Sequence, residues 1–137
     1  MQFTAAVAAM VLGFSGAASA APHVARQFGV RNETAVCGDV TYTAEQVSEA
    51  MEAACTHFQE GTDVNDYPHT YNNYEGFEFK GLDGPFQEFP MVSDGVYDGG
   101  SPGADRVVIT EDGCLLAGSI THTGADGNNF VACEGTS

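Results

Sequence analysis

The chain is 137 residues long and carries nineteen Asp and Glu against four Lys and Arg, a formal net charge of -15 at neutral pH. That length suits one domain, and that charge excludes a broad basic surface that would track a nucleic-acid backbone. The four cysteines, Cys37, Cys55, Cys114 and Cys133, include no close pair, so a zinc site fits poorly.

Phe3 to Ala20 is rich in Ala, Val, Met and Leu and ends in Ala18-Ser-Ala20, small residues at the spacing of a signal peptidase site. The stretch is short for a membrane span and has no Lys or Arg ahead of it. It reads as a signal peptide over residues 1–20, which implies secretion to the extracellular space. An even cysteine count behind a signal peptide implies two disulfides, for which three pairings exist. Residues 21–31 hold Arg26 and Arg31 and no apolar periodicity. They read as a pro-segment or as a disordered tail, leaving a domain over 32–137. Asn32-Glu-Thr34 is a glycosylation sequon. All the acidic residues lie at or beyond Glu33, where the only basic partners are Lys80 and Arg106.

Thr43 to about Gln59 predicts a helix. Thr43 can cap it and Gln46 can answer in a capping box. Val47, Met51, Ala54, Cys55 and Phe58 share one stripe, Glu45, Glu49, Glu52 and Gln59 face away, and Gly61 stops the helix. His57 lies just off the stripe and reads as a surface histidine. Gly61 to Asp66 is a loop. Phe77-Glu-Phe79 and Phe86-Gln-Glu-Phe89 interleave rings with polar residues and predict strands, with a turn over Gly81 to Pro85. Gly95 to Gly103 predicts a loop. Arg106 to Thr110 predicts a β-branched strand, Glu111-Asp-Gly113 a hairpin turn, Cys114 to Thr121 a mostly buried strand, and Phe130 to Cys133 a last short one. One helix followed by short strands implies an α+β domain, a twisted antiparallel sheet with the helix on one face.

Tyr67-Pro-His-Thr-Tyr-Asn-Asn-Tyr-Glu75 places three tyrosines, two asparagines, a histidine and a carboxylate in nine residues. No core strand needs that set, whereas a site that stacks a flat polar ring and reads its edge does. Cleaving RNA with its own 2′-hydroxyl as nucleophile needs a base, an acid for the departing 5′-oxygen, and donors to the phosphoryl oxygens. Glu88 among Phe86, Phe89 and Pro90 suits the base, since partial desolvation raises a carboxylate. His122 suits the acid, and Arg106 can fork two hydrogen bonds to phosphate. Each has a plainer role when taken singly. Glu88 alone reads as a solvated side chain, Arg106 as a partner of Asp105 or Glu88, and His122 as a satisfied strand histidine. Tyr71 and Tyr74 read as sheet-surface rings, Asn72-Asn73 as a turn, and Phe130 as core.

Together these segments resemble the fungal guanyl-specific ribonucleases. The likeness rests on Tyr67 through Phe77, Gly84-Pro-Phe-Gln-Glu-Phe-Pro90, Tyr97 with Gly99-Gly-Ser-Pro-Gly-Ala-Asp-Arg-Val-Val108, Ile120-Thr-His-Thr-Gly124 and Gly127-Asn-Asn-Phe-Val131. It runs from Cys37 to Cys133. The resemblance implies a secreted endoribonuclease that cleaves single-stranded RNA after guanosine through a 2′,3′-cyclic phosphate. It implies Glu88 as base, His69 beside it, His122 as acid, Arg106 and Tyr67 as donors to the phosphoryl oxygens, and Phe130 as an apolar wall. Tyr71 and Tyr74 would sandwich guanine, and backbone N–H groups around Asn72 and Asn73 would donate to its O6 and N7. Glu75 would accept from N1–H and the exocyclic amine, and Asn128 would join the pocket. The resemblance further implies Cys37–Cys133 and Cys55–Cys114 bridges, a monomer, no metal, no cofactor, no DNA substrate and no membrane partner. Asp126 departs from the family, where a small polar residue is usual, and brings a further negative charge near His122. A competing class is a non-catalytic secreted protein on the same scaffold that binds RNA or a host protein.

Overall fold

The structure, a computed structural model, describes residues 33–136. The stretches that read as a signal peptide and a pro-segment, and Asn32 of the sequon, lie outside the described residues. A short hairpin of β1 (Ala35–Cys37) and β2 (Val40–Tyr42) leads into α1 (Ala44–Glu60). There follow β3 (His69–Tyr71), β4 (Phe86–Val92), β5 (Gly95–Val96), β6 (Asp105–Thr110), β7 (Leu116–Thr121) and β8 (Val131–Ala132). The main sheet runs β3-β4-β6-β7-β8 with β5 beside β4, and its paired strands are antiparallel. The chain is therefore the α+β domain that the pattern of elements implies.

The helix begins where the capping chemistry places it. Thr43 Oγ1 accepts from the Gln46 backbone N–H, and Gln46 Oε1 accepts from the Thr43 N–H, so two orphan donors are satisfied. At the other end Gly61 turns left-handed at φ 69° and closes onto the His57 and Phe58 carbonyls. Val47, Ala50, Met51, Ala54 and Cys55 are buried and pack with Phe89, Met91, Val107, Ile109 and Leu116 of the sheet. Phe58 is only partly buried at the edge of that core. His57 stacks over Phe89 at 6.0 Å and bonds Thr62 Oγ1 through Nδ1, so it is neither free nor part of any reactive cluster. Cys37 is bonded to Cys133, and Cys55 to Cys114. One bridge ties the first strand to the end of the domain; the other pins the helix to the β6–β7 turn.

Alternation decides which side chains reach the other face. In β6, Val107 and Ile109 turn toward the helix, while Arg106 and Val108 turn away. In β4, Phe89 and Met91 face the helix and Glu88 faces away with Arg106. Asp105 therefore does not pair with Arg106, because neighbours in a strand point to opposite faces. It bonds the Tyr42 and Thr121 hydroxyls instead.

Four sequence expectations need correction. Phe77–Phe79 forms no strand, because the Asn73 side chain takes both the Phe77 N–H and the Phe77 carbonyl. Gly95–Gly103 is not all loop; its first two residues pair with Met91 and Val92. The strand expected from Cys114 begins at Leu116, since Cys114 sits at φ 49° and still belongs to the turn. Phe130 falls outside β8, because its N–H goes to the Glu75 carboxylate. Two pieces had no sequence signal: the β1–β2 hairpin and β3, each strand being three residues long.

Candidate active site

The face away from the helix gathers ionisable groups on its central strands. Register places His69 opposite Glu88 and Arg106 opposite Pro90. Glu88 and Arg106 are 5% and 3% exposed, so a carboxylate and a guanidinium lie together on the floor of the sheet. His69 Nε2 is 2.6 Å from Glu88 Oε1, and Arg106 Nε is 3.9 Å from that same oxygen. Burial pushes the Glu88 carboxyl above its ordinary value, although the charges of His69, Arg106 and His122 and the hydrogen bond to His69 oppose it.

Arg106 is held by one edge of its fork. Nη1 donates to the Gly103 and Asp105 carbonyls at 2.8 and 2.9 Å and lies 3.3 Å from that of Pro102. Nη2 donates to Tyr67 Oη at 3.2 Å, and the guanidinium lies 5.2 Å from that ring's centre. Its Nε is buried and has no hydrogen-bond partner. A buried N–H without an acceptor is costly, and an anion placed there would relieve it. Tyr67 accepts from Arg106, so its own O–H stays available to donate. Its ring is stacked on His69 at 4.5 Å and braced edge-on by Tyr97 at 5.9 Å.

His122 stands at the end of β7. Its Nδ1 is 2.7 Å from the Asn129 carbonyl oxygen, and its ring is stacked on Phe130 at 3.9 Å. A carbonyl only accepts, so Nδ1 carries hydrogen and Nε2 is the nitrogen left for chemistry. Phe130 in turn donates its N–H to Glu75 Oε2 at 2.9 Å, and Tyr71 donates its hydroxyl to Glu75 Oε1 at 2.9 Å. Partial burial raises the Glu75 carboxyl, but those donors and the His122 charge outweigh it and leave it below the ordinary carboxylate value. Burial and the Glu75 carboxylate push the Tyr71 phenol far up, so it remains a donor.

Glu75 lines a pocket of about 430 Å³ with Tyr74, Asp126, Asn129, Phe130 and the Gly124–Ala125 turn. Tyr74 is 89% exposed there. Tyr71 is buried, edge-on to Phe79 and Phe130, so the two tyrosines do not frame one open slot. Asn72 and Asn73 line a different groove of about 720 Å³ behind the loop, lined also by Phe77, Leu82 and Pro85. That groove contains none of the histidine, arginine or Glu88 groups, and the smaller pocket is the one next to the chemistry. Asn73 sits at φ 53° and braces the turn with its side chain. Asn128 is exposed and does not line the small pocket.

Sequence reasoning missed four backbone contributors. The Asp66 and Asn129 carbonyls orient His69 and His122, and the Pro102–Gly103 carbonyls hold Arg106. Backbone acceptors carry no residue-type signal, so nothing in the sequence marked them.

A family model described as ribonuclease matches residues 30–134. The chain belongs to the ribonuclease family. Among curated ribonucleases, guanyl-specific ribonuclease Th1 of Trichoderma harzianum is 60% identical over 107 residues, 76% of this chain and 100% of the relative. Guanyl-specific ribonuclease F1 of Fusarium fujikuroi is 56% identical over 115 residues, 82% of this chain and 86% of the relative. Among solved ribonucleases, RNase He1 from Hericium erinaceus superposes with a TM-score of 0.56 at 38% identity, covering 74% of this chain and 98% of that one.

Proposed function

We propose that this ribonuclease-family chain is a secreted, monomeric, guanyl-specific endoribonuclease that cleaves single-stranded RNA on the 3′ side of guanosine. The observation that carries the reading is the unpartnered, buried Arg106 Nε beside Glu88. A phosphoryl oxygen set there accepts from Arg106 and Tyr67 while the adjoining 2′-hydroxyl meets a carboxylate raised toward useful base strength. The two relatives named guanyl-specific ribonucleases support the choice of base.

Glu88, sharing a proton site with His69, removes the 2′-hydroxyl proton. The 2′-oxygen attacks phosphorus and His122 protonates the leaving 5′-oxygen from Nε2. For His122 to donate there while Nδ1–H stays on the Asn129 carbonyl, the ring must carry both protons. Phe130 stacks on that ring and limits water. The product is a guanosine 2′,3′-cyclic phosphate; water then enters with Glu88 and His122 in exchanged roles and leaves a 3′-phosphate.

Guanine occupies the Glu75 pocket. Its N1–H and amine donate to Glu75; Asn72 and Asn73, which line the other groove, read O6 and N7 through their backbone N–H groups only once their loop turns toward this pocket, and exposed Asn128 borders the base from outside it. Tyr74, free in solvent, folds over one face of the ring; Tyr71 covers the other only by leaving its buried seat against Phe79 and Phe130. Adenine has no N1 proton and would leave Glu75 unpaired. No cofactor and no metal take part in these steps, and DNA, lacking the 2′-hydroxyl, is no substrate.

The test uses four dinucleoside monophosphates with G, A, C or U on the 5′ side and C on the 3′ side, with chelator present. Cleavage of the G substrate alone, through a cyclic phosphate, is the expected result. No cleavage by folded, disulfide-intact protein would reject the enzyme in favour of a binding protein.

A further inference from the structure

Asp105 lies behind the chemistry and takes no part in the steps above. It is 6% exposed, and both of its oxygens are occupied. Tyr42 Oη donates to Oδ2 at 2.5 Å, and Thr121 Oγ1 donates to Oδ1 at 2.6 Å. Among the described residues no cation is paired with it, which is unusual for a buried carboxylate. Both contacts connect separate elements: Tyr42 ends β2, and Thr121 faces Asp105 across the β6–β7 ladder.

Thr121 is the residue before His122. Its Oγ1, having donated to Asp105, accepts from the Thr123 N–H at 3.0 Å. One hydroxyl thus clamps the backbone on both sides of His122. The His122 N–H donates to the Ala104 carbonyl at 2.9 Å, on the residue just before Asp105. Alternation sends the Asp105 and Thr121 side chains to the helix side and leaves Arg106 and His122 on the other face. The buried carboxylate therefore acts on the acid through two hydrogen bonds and never reaches the site.

We propose that Asp105 is a positioning residue for the reaction: through the Thr121 hydroxyl it fixes the backbone that aims His122 Nε2 at the leaving oxygen. This rests on the reading of His122 as the proton donor. The ordinary alternative is that Asp105 only holds the fold together.

The variants are Asp105→Asn, Thr121→Val and Tyr42→Phe, each assayed where urea titration shows it folded. The substrates are guanylyl-3′,5′-cytidine and guanosine 3′-(4-nitrophenyl phosphate), whose leaving group needs little protonation. Misaimed acid costs the first substrate and spares the second. Asp105→Asn and Thr121→Val are expected to lose about tenfold in kcat on the dinucleoside and at most about threefold on the nitrophenyl ester, with KM little changed. Tyr42→Phe breaks the other oxygen's contact, so it lowers stability but keeps the parent's ratio between substrates. Thr121→Val keeps the test alive if Asp105→Asn does not fold.

A second readout is the His122 ring Nδ1–H signal in ¹⁵N-edited NMR, expected to shift and exchange faster in both variants and to stay put in Tyr42→Phe. Equal losses on both substrates, or an unmoved ring signal, overturn the proposal. If the parent cleaves neither substrate, the ribonuclease reading fails, and the ring signal alone still decides whether Asp105 positions His122.

Discussion

His69 Nε2 and Glu88 Oε1 meet at 2.6 Å, while the far nitrogen of the same ring lies 3.2 Å from the Asp66 carbonyl oxygen. The carbonyl requires hydrogen on Nδ1, so the short contact holds together only with a further proton between imidazole and carboxylate. The short contact thus ties the two side chains into one hydrogen-bonded unit.

Glu88→Gln should lower kcat by about 10²-fold, the low end for losing a general base, because His69 remains in place. It should also stabilise the protein at neutral pH. Burial holds Glu88 above its unfolded value, so its contribution is fully present below the ordinary carboxylate value and is lost as pH rises through the raised one. The amide escapes that loss. Urea unfolding at pH 4 and pH 7 checks it: the variant should gain on the parent between the two, and an unchanged gap contradicts the assignment.

Glu75 has the opposite sign. Its folded value is lowered, so its stabilisation is present above the ordinary carboxylate value and disappears as pH falls through the lowered one. Glu75→Ala should therefore destabilise more at pH 7 than in strong acid. Its kcat/KM on the G dinucleoside should fall about 10- to 100-fold, the worth of one or two hydrogen bonds to a charge. The A dinucleoside should barely change. An equal fall on both substrates would assign Glu75 to chemistry rather than base choice.

The two disulfides close long loops, with separations of 96 and 59 residues. On the chain-entropy account each contributes about 4–5 kcal/mol. Replacing either pair by alanine should leave a folded protein with a lower urea midpoint. Replacing both removes about 9 kcal/mol, comparable to the whole stability of a domain this size, about 5–15 kcal/mol. The double variant should show no cooperative transition by circular dichroism at 37 °C.

Legibility followed the range of the signal. The helix was readable because Thr43, Gln46 and Gly61 act within a few residues of one another. The strands Asp105–Thr110 and Leu116–Thr121 were readable from β-branched and apolar runs, but the left-handed Cys114 between them was not, since cysteine gives no hint of positive φ. Phe77 and Phe79 alternate like a strand, yet pairing depends on what lies opposite, and there Asn73 occupies the backbone. The polar side chains around Glu88 could be named in advance. Their aiming could not, because carbonyls of Asp66, Gly103 and Asn129 do it.

The acidity of the chain leads to a prediction about salt. Lys80 is paired with Glu33, and Arg106 is the one arginine of residues 33–136. A protein that takes one base and one phosphate neutralises about one or two phosphates, and for single strands the affinity slope is about -0.7 per phosphate. Raising salt from about 50 to 200 mM should then weaken substrate binding only about 3- to 7-fold, against 10³-fold or more for eight contacts. The acidic surface pushes the other way, because added salt screens its repulsion of RNA beyond a Debye length of about 8 Å. The KM for a long single strand and for a G dinucleoside should consequently respond to salt almost alike. A steep rise confined to the long strand would mean that RNA follows a cationic path over the surface, whereas the Lys and Arg side chains among the described residues are Lys80, held by Glu33, and Arg106, beside Glu88.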